Sequence, residues 1–471
     1  MFRGKFNRIH FIGIGGSGMC GIAEVLLNLG YNVSGSDLRE SATTTRLRGL
    51  GATIFLGHAA ANVDGADVVV KSTAVPGENP EIRAAELAHI PVIPRAEMLA
   101  ELMRMKYGVA IAGTHGKTTT TSMIATCLFQ AGMDPTVVIG GRLNTLGSSA
   151  RRGLGEFMVA EADESDGSFM LLPPTVAVIT NIDPEHLDHW GSMEALVDGF
   201  AAFASKVPFY GFAALCLDHP VVQGLLPRLR RRVVTYGLSA SAEVRGDNIV
   251  FDGMNTRFRA WWKDQALGEI QLGMPGGHNV ANALAAIAVG LELDIPFERL
   301  QGALEGFAGV DRRFSVRAEA PLASAPDEAA VTLIDDYGHH PAEIRATLSA
   351  AVGAWPGRRI IAVVQPHRYS RVADLFEDFA RCFNAATHVV VTPLYAAGEA
   401  PIPGVDHTHL ALRLAELGHR SVYAADGLDE ATAHLRALLR PGDLVLTLGA
   451  GDVNRVLSDL SSSLLPPGSA S

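Results

Sequence analysis

Residues 109–121 read VAIAGTHGKTTTT, and this stretch decides the interpretation of the chain around it. An apolar run enters a glycine loop, and residues 122–130 follow with apolar side chains on one face of a helix that Gly132 ends. A strand, a glycine turn and a helix that opens on Lys-Thr aim backbone N–H groups at a phosphate. Lys117 adds a positive charge for the outer phosphates, and Thr118 offers a hydroxyl to a magnesium ion. The stretch predicts a nucleoside-triphosphate site.

The loop is shorter than the usual P-loop. That motif has its first glycine six residues before the lysine, where this chain has Ile111. A plain helix N-cap after a buried strand is the alternative. The coincidence of Gly113, Gly116, Lys117 and a run of threonines favours phosphate binding.

Acidic residues follow the next candidate strand. Residues 157–166 read FMVAEADESD, and at a strand end beside a P-loop one of these acids should bind magnesium. The alternative is a solvated acidic turn. A further buried strand, 176–182, leads into His186, which could give one nitrogen ligand to a second ion held mostly by phosphate. Zinc is disfavoured, because soft ligands at usable spacing are lacking.

The N-terminal stretch has a dinucleotide-type fingerprint. Residues 8–14 predict a buried strand, Gly13-x-Gly15-x-x-Gly18 opens a helix, and the strand after it ends at Asp37, where an acid could hold a ribose. A glycine-rich turn for tight packing is the alternative. Further strands are predicted at Thr53–Leu56, 68–72 and 92–93.

Loops at the carboxyl ends of parallel strands line the ligand crevice of such a sheet. By that rule His58, Ser72 and Asn79 are candidate ligand contacts, although each alone is more typical of a turn or cap. Residues 276–283, GGHNVANA, open an alanine-rich helix on which Asn279 and Asn282 share a face. They could cap the helix or contact a nucleotide base.

The last part of the chain predicts a second doubly wound unit. Strands at 331–335, 360–364, 389–392 and 444–447 alternate with helices that include 341–352 and 373–383, and residues 318–330 predict a loop. Two strand ends carry polar clusters, DDYGHHP at 335–341 and QPHRYSR at 365–371. Arg368 and Arg371 suit carboxylate or phosphate oxygens.

Composition sets broad limits. A chain of 471 residues predicts about three domains. The formal net charge of -11 disfavours a surface that coats nucleic acid. The four cysteines form no Cys-x-x-Cys motif, which favours buried free thiols in a reducing compartment. The N-terminus lacks an apolar signal core and no apolar run is long enough to span a bilayer, so a cytoplasmic protein without membrane contact is expected.

These motifs together resemble the Mur ligase family along essentially the whole chain. The resemblance rests on GIGGSGM at 13–19, GTHGKTTT at 113–120, EADESD at 161–166, HN at 278–279 with NA at 282–283, and DYGHHP at 336–341. The last motif, with HRYSR at 367–371, is similar to the members that add L-alanine. The shortened P-loop is also what this family has.

The resemblance implies an α/β protein of three domains. Residues 1–106 would form a Rossmann-like domain for a UDP sugar, 107–310 a central P-loop ATPase domain with extra strands, and 311–471 a Rossmann-like domain for an amino acid. The implied reaction is ATP-driven, magnesium-dependent amide formation between the lactyl carboxylate of UDP-N-acetylmuramate and L-alanine, through an acyl phosphate, in peptidoglycan synthesis. The implied state is a monomer or homodimer.

The resemblance also implies roles for residues. The UDP sugar would contact Gly15, Gly16, Ser17, Gly18, Met19, Asp37, His58, Ser72, Thr73 and Asn79. ATP would contact Gly113, Thr114, His115, Gly116, Lys117, Thr118, Thr119, Asn279, Asn282, Arg312 and Arg313. Thr118, Glu164 and His186 would bind metal, and Tyr337 and His339 the amino acid. Lys117, His186, Arg368, Arg371 and His339 would be catalytic, with Arg368 and Arg371 on the lactyl carboxylate.

The base that deprotonates the amine is left open among His339, His340 and Asp336, on residue type alone. Rival functions are a murein-tripeptide recycling or folylpolyglutamate-type ligase, an NAD-dependent dehydrogenase built on the first fingerprint, and a non-catalytic ATP-gated binding protein. Amino-acid specificity, nicotinamide binding and the turnover of a Lys117→Ala variant would separate them.

Overall fold

Within the described residues, β-sheets of five, ten and six strands follow one another along the chain. The computed structural model describes residues 6–72, 75–143, 148–322, 325 and 327–464. The chain forms two units. The first consists of Met1–Asn248, Phe258–Ile270 and Val280–Val310, and the second of Ile249–Arg257, Gln271–Asn279 and Asp311–Ser471.

The N-terminal sheet is parallel, with strand order β3-β2-β1-β4-β5. The chain order reverses at β1, so the glycine loop after β1 lies at the switch point where such sheets bind ligands. Its strands are β1 Arg8–Ile12, β2 Asn32–Asp37, β3 Thr53–Leu56, β4 Val68–Lys71 and β5 Val92–Pro94. Its helices are α1 Ser17–Asn28, α2 Ala42–Gly49, α3 Pro80–Leu87 and α4 Arg95–Met103.

The central sheet has the order β15-β14-β13-β12-β11-β10-β6-β9-β7-β8. The strand β6 pairs in parallel with both β10 and β9, so the phosphate loop that follows β6 lies between the loops that follow these two strands. The strands are β6 Tyr107–Ala112, β7 Thr136–Leu143, β8 Ser148–Arg151, β9 Phe157–Glu161, β10 Val176–Ile179, β11 Phe212–Cys216, β12 Val233–Gly237, β13 Val244–Asp252, β14 Asn255–Trp262 and β15 Gln265–Leu272. The helices are α5 Lys117–Gln130, α6 Leu187–Trp190, α7 Met193–Ser205, α8 Pro220–Gln223, α9 Gly277–Glu292 and α10 Phe297–Glu305.

The C-terminal sheet has the order β16-β17-β21-β18-β19-β20, and only β16 pairs antiparallel within it. Its strands are β16 Ser315–Ala320, β17 Val331–Asp336, β18 Ile360–Val364, β19 His388–Val391, β20 Val422–Ala424 and β21 Leu444–Leu448. Its helices are α11 Pro341–Ala354, α12 Tyr369–Asp374, α13 Phe376–Phe379, α14 His407–Glu416, α15 Leu428–Leu438 and α16 Arg455–Leu464. The strands β17, β18, β19 and β21 are buried, as helices on both faces of a sheet require, and the edge strand β20 is partly buried.

The predicted α/β class is confirmed, with two local errors. The single helix predicted at 373–383 is wrong, because Leu375 leaves the helical region at φ -115° and ψ 22° and separates α12 from α13. The loop predicted at 318–330 is wrong for residues 318–320, which belong to the edge strand β16. Its exposed and alanine-rich residues lack the apolar run that marks a buried strand. Among the described residues, no helix combines the length and the apolar character needed to cross a bilayer.

Candidate functional site

The loop between β6 and α5 needs glycine at both of its glycine positions. Gly113 has φ +136°, and a Cβ there would lie 2.1 Å from Thr180 Oγ1. Gly116 has φ +81°, and a Cβ there would lie 2.9 Å from Asn282 Oδ1. Glycine tolerates such backbone angles and such close neighbours. The loop therefore stays compact at the start of α5, where a helix offers unpaired N–H groups to a phosphate.

Residues that follow β10 hold this loop in place. The backbone N–H of His115 donates to Asn181 Oδ1 at 2.7 Å, and Thr180 Oγ1 donates to the His115 carbonyl at 2.6 Å. The backbone N–H of Asp183 donates to Thr114 Oγ1 at 2.9 Å. Because side chains of a neighbouring strand end fix the loop, its N–H groups need little reorganisation to receive a ligand.

Asp183 also lies between two imidazoles. His115 Nε2 lies 3.1 Å from one carboxylate oxygen and His219 Nε2 lies 3.3 Å from the other. The adjacent imidazoles of His115 and His219 outweigh burial and hold the pKa of Asp183 well below its usual range. Neither Asp183 nor His219 was predicted from the sequence, although both follow strands of the sheet at their carboxyl ends.

Lys117 is the first residue of α5 and its ammonium is fully paired. Nζ lies 2.9 and 2.8 Å from the two carboxylate oxygens of Glu164 and 2.6 Å from the Gly113 carbonyl oxygen. Burial alone would lower the pKa of Lys117, but the carboxylates of Glu164 and Asp163 outweigh it and raise that pKa above its usual range. Lys117 is therefore a permanent cation at the phosphate loop.

The acidic turn follows β9, the neighbour of β6. Glu161 ends the strand, and the carbonyl oxygen of Glu164 accepts a hydrogen bond from Trp190 Nε1 at 2.9 Å. His186 has φ +58° immediately before α6, and its Nε2 lies 3.8 Å from Glu185 Oε1. Thr118 and Thr119 lie buried on the first turn of α5. The structure thus provides hydroxyl and carboxylate oxygens around Lys117 within one unit.

The two asparagines of α9 have different partners. Asn282 Oδ1 accepts a hydrogen bond from Thr120 Oγ1 at 3.0 Å, which holds its carboxamide against α5 next to Gly116. Asn279 Nδ2 donates to the Pro275 carbonyl at 2.8 Å. Asn282 therefore belongs to the surroundings of the phosphate loop, whereas the contact of Asn279 is local to the start of its own helix.

In the N-terminal sheet, Asp37 anchors the glycine loop. Its Oδ2 accepts a hydrogen bond from the backbone N–H of Gly15 at 2.9 Å. Gly16 is the N-cap of α1 and Ser17 its first residue. The side chain of Ser17 and the whole of Thr73 lie outside the described residues. Asp37 is thus at the predicted place, and one of its oxygens is engaged by the loop itself.

A cavity of about 330 Å³ lies beside this loop. Residues predicted to contact the UDP sugar line it, together with Lys117 and the acids of the turn after β9: Gly16, Gly18, Met19, Ser72, Lys117, Glu161 and Asp163. Arg95, which follows β5, lines it as well and was not predicted. The fingerprint loop and the phosphate loop therefore share one cavity.

His58 and Asn79 contact Glu81 and do not line this cavity. Asn79 Oδ1 accepts from the backbone N–H of Glu81 at 2.9 Å and caps α3, and His58 Nδ1 lies 3.0 Å from Glu81 Oε2. Ser36 Oγ and Asn62 Nδ2 donate to the same carboxylate at 2.6 Å each. Burial would raise the pKa of Glu81, but these hydrogen bonds and the nearby His10 imidazole lower it to about 2.

In the C-terminal unit, two guanidinium groups lie over one ring. The guanidinium carbons of Arg312 and Arg313 lie 5.2 and 5.1 Å from the centroid of Tyr337. Arg312 also donates to Asp335 at 3.2 Å and to backbone oxygens of the loop after β21. Arg313 forms an ion pair with Glu343 at 3.7 Å. The fold thus uses the donors of Arg312 to join β17 to β21.

Aromatic and imidazole rings from three strand ends form one cluster. The His339 ring lies 5.4 Å from Tyr337 and 5.7 Å from His367, and His367 stacks on Tyr395 at 5.5 Å. Arg371 Nη1 lies 3.2 Å from His367 Nδ1. Burial, with the neighbouring His339 and Arg371, lowers the pKa of His367 to about 4. The imidazole of His367 is therefore neutral at physiological pH.

The candidate bases differ in what binds them. Asp336 accepts hydrogen bonds from the backbone N–H groups of Phe314 and Gly338 at 2.7 Å each, and burial raises its pKa. His340 Nδ1 accepts from the backbone N–H of residue 342 and caps α11. His339 Nδ1 lies 3.1 Å from the Tyr337 carbonyl oxygen. Asp336 and His340 therefore stabilise the backbone around the site, and His339 is the candidate that belongs to the ring cluster.

Arg368 makes an ion pair with a residue that was not predicted. Its Nε lies 3.1 Å from Glu399 Oε1, and Ser370 donates through its backbone N–H and its hydroxyl to the same carboxylate. Glu399 and Tyr395 both follow β19. The strand-end rule that pointed to His58 and Ser72 could have pointed to them, and to Arg95 after β5.

Models of one family match the chain in three consecutive segments. The model described as "Mur ligase family, catalytic domain" matches residues 8–107. The model of the Mur ligase middle domain matches residues 111–290, and that of the "Mur ligase, glutamate ligase domain" matches residues 313–451.

Curated relatives and a solved structure agree with these matches. The chain is 58% identical over 453 residues to the UDP-N-acetylmuramate–L-alanine ligase of Geobacter sp. (strain M21), which covers 96% of each chain. It is 56% identical to the enzyme of that name from Anaeromyxobacter dehalogenans (strain 2CP-C), over 98% of this chain and 99% of the relative. The crystal structure of UDP-N-acetylmuramate-alanine ligase MurC from Thermotoga maritima superposes with a TM-score of 0.80 at 30% identity, over 97% of this chain and 98% of that one. The family predicted from the motifs is confirmed, and the chain belongs to the Mur ligase family.

Proposed function

We propose that the protein is an ATP-dependent ligase that joins L-alanine to the lactyl carboxylate of UDP-N-acetylmuramate, giving UDP-N-acetylmuramoyl-L-alanine, ADP and phosphate, in peptidoglycan biosynthesis. The observation that carries the proposal is the single cavity lined by both the fingerprint loop and the phosphate loop. A relative that bears this enzyme's name is 58% identical over 96% of each chain. The proposal includes a cytoplasmic location and a monomeric or homodimeric state.

The chemistry needs two steps. The lactyl carboxylate attacks the γ-phosphorus of ATP, which forms an acyl phosphate and releases ADP. The amine of L-alanine then attacks the acyl carbon through a tetrahedral intermediate, and inorganic phosphate leaves. Lys117 neutralises charge on the transferring phosphoryl group, and the loop from Gly113 to Gly116 presents its N–H groups to the phosphates.

Magnesium fits the residues around Lys117. The Thr118 hydroxyl and the Glu164 carboxylate are the hard oxygen ligands that Mg²⁺ prefers, and Glu164 is buried beside the phosphate loop. His186 would add one nitrogen ligand for a second ion. When bound, the metal neutralises phosphate charge.

The remaining assignments follow the order of the segments. Residues 1–106 would bind the UDP sugar, 107–310 ATP and 311–471 the amino acid. Arg368 and Arg371 would hold the lactyl carboxylate in line, and Tyr337 and His339 would receive L-alanine, with His339 as the candidate base. Asn279, Asn282, Arg312 and Arg313 would contact ATP, and both arginines also lie over the Tyr337 ring.

The test is phosphate release from ATP with magnesium, UDP-N-acetylmuramate and each amino acid in turn. The expected result is release that requires the UDP sugar and is fastest with L-alanine. Glycine and serine should be slower by no more than one small group can provide, about 1–3 kcal/mol in transition-state binding. Release without the UDP sugar, or fastest with a larger amino acid, contradicts the proposal.

A further inference from the structure

Arg95 lines the shared cavity, and its guanidinium makes few contacts with the rest of the described structure. It is the first residue of α4, directly after β5, and a quarter of its side chain is exposed. Within the described part of the chain its guanidinium makes one ion pair, with Asp163 Oδ2 at 3.7 Å, and no hydrogen bond. An arginine has five N–H donors in a fixed fork. A partly buried guanidinium whose N–H groups have no hydrogen-bonded acceptor is suited to bind the oxygen atoms of an anionic ligand.

The other cation of the cavity is already neutralised. Lys117 Nζ contacts both carboxylate oxygens of Glu164 at hydrogen-bond distance, whereas the one carboxylate near Arg95 lies beyond it. The fingerprint, residues 13–19, contains no lysine or arginine. Its backbone N–H groups can contact a diphosphate but supply no full charge. Of the two cations among the described residues that line the cavity, Arg95 is therefore the one without a hydrogen-bonded carboxylate.

The third fingerprint glycine makes room for this arginine. A Cβ on Gly18 would lie 2.8 Å from Arg95 Nη1 and 3.0 Å from its Cδ. In dinucleotide folds the third glycine serves close packing of the helix against the strand. Here the atoms that come closest are those of Arg95, so the glycine brings the guanidinium against the loop.

We infer that Arg95 binds the diphosphate of the nucleotide-sugar substrate, opposite the fingerprint loop, and that Asp163 holds the guanidinium until the substrate arrives. The inference rests on the proposed function for the identity of that substrate. The ligand chemistry is a nucleoside diphosphate, which guanidinium groups bind through paired N–H···O contacts. When the substrate binds, the Arg95 guanidinium leaves the Asp163 carboxylate, 3.7 Å away, and donates hydrogen bonds to phosphate oxygens.

The experiment is calorimetric titration of the full-length protein with UDP, without ATP, for the wild type, Arg95→Gln and Arg95→Lys. Arg104→Gln is the matched control, because Arg104 caps the other end of α4 and is more than half exposed. We expect Arg95→Gln to weaken UDP binding roughly ten- to a hundredfold, and Arg95→Lys to weaken it less. The control should bind UDP within about twofold of the wild type, and thermal unfolding establishes that each variant is folded.

The salt dependence of binding separates a charge contact from packing. Loss of a cation that contacts phosphate should make UDP affinity fall less steeply with added salt in Arg95→Gln than in the wild type. Equal slopes, or UDP affinity within about twofold of the wild type, overturn the inference. In the ligase assay, Arg95→Gln should raise KM for UDP-N-acetylmuramate and leave KM for ATP unchanged.

The outcomes for the proposed function and for Arg95 are distinct. Wild-type protein that binds UDP in an Arg95-dependent manner but does not turn over UDP-N-acetylmuramate would overturn the proposed function alone. Wild-type protein that turns over this substrate while Arg95→Gln keeps its KM would overturn the inference alone. Wild-type protein that binds no UDP overturns the role given to Arg95.

Discussion

Lys117 Nζ lies 2.9 and 2.8 Å from the two carboxylate oxygens of Glu164, so the cation of the phosphate loop already has a bidentate acid. Lys117→Ala should lower kcat by at least about a hundredfold, the loss typical of one charge-stabilising group. It should also destabilise the protein by about 1–3 kcal/mol, because Glu164, whose pKa burial raises to about 7, loses the cation that compensates its charge. Phosphate release and urea unfolding measure the two effects.

The double variant Lys117→Ala, Glu164→Gln separates these effects. It should regain part of the lost stability, since no unpaired charge stays buried, but it should not regain turnover. Lys263→Ala is the control for a lysine-to-alanine change, because this lysine is 63% exposed. If Lys117→Ala releases phosphate as fast as the Lys263→Ala control, Lys117 has no role in the reaction.

Gly113→Ala tests the geometry of the phosphate loop. Its φ is +136° and the new Cβ would lie 2.1 Å from Thr180 Oγ1, so both the backbone and the neighbour must move. Gly132→Ala is the matched control, with φ +80° and nothing within 4 Å of its Cβ. We expect a loss of about 1–2 kcal/mol for the control, the cost of a left-handed residue, and a larger loss at Gly113. Equal losses in chemical unfolding would contradict the predicted clash.

Glu81 should make stability depend on acid pH. Its folded pKa of about 2 lies below the ordinary value of 4.5, so the folded state holds the charged form more strongly than the unfolded state does. That stability is present above pH 4.5 and is lost as the pH falls toward 2, in total about 3 kcal/mol. Urea unfolding at a series of pH values should show a steeper acid loss in the wild type than in Glu81→Gln. Glu40→Gln, at a residue 53% exposed, should behave as the wild type.

His367 should titrate far below an ordinary histidine. Burial and the cations around it lower its pKa to about 4, so its ring signals in NMR should change near that pH and stay constant above about pH 5.5. Arg371→Gln removes a guanidinium nitrogen 3.2 Å from His367 Nδ1. Because a positive neighbour disfavours the imidazolium, this variant should raise the pKa of His367. An unchanged or lower midpoint would show that the charge of Arg371 does not lower the pKa of His367.

Local sequence patterns predicted the contiguous motifs, but they could not predict contacts between residues that are far apart in the chain. The phosphate loop and the fingerprint are contiguous, so residues 109–121 and 13–19 carry their own strand, turn and helix signals. The environment of Arg95 is created by the acid of a strand far away in the chain, and that of Arg368 by Glu399 after β19. Such partners appear only once the strand order is known.

The failed helix prediction at 373–383 has a similar origin. Its apolar spacing is helical, yet Leu375 turns the chain so that Phe379 and Phe383 enter the core between the C-terminal sheet and its helices. Tertiary packing here overrides periodicity. Asn79 was a candidate by the strand-end rule and caps α3, whereas Arg312 was a candidate through the family resemblance and donates to Asp335. A strand end both builds the crevice and anchors the chain beside it, and the ligand contacts of the two residues stay predictions.

The ion pair between Lys117 and Glu164 affects the net charge that the cavity presents to a ligand. Around this cavity, the acids Glu161, Asp163 and Glu164 outnumber the bases Lys117 and Arg95 by one. A bare triphosphate meets repulsion there, while one that arrives with its divalent cation meets compensating carboxylates. On these charges, a nucleotide that carries its divalent cation would enter this cavity in preference to the free anion.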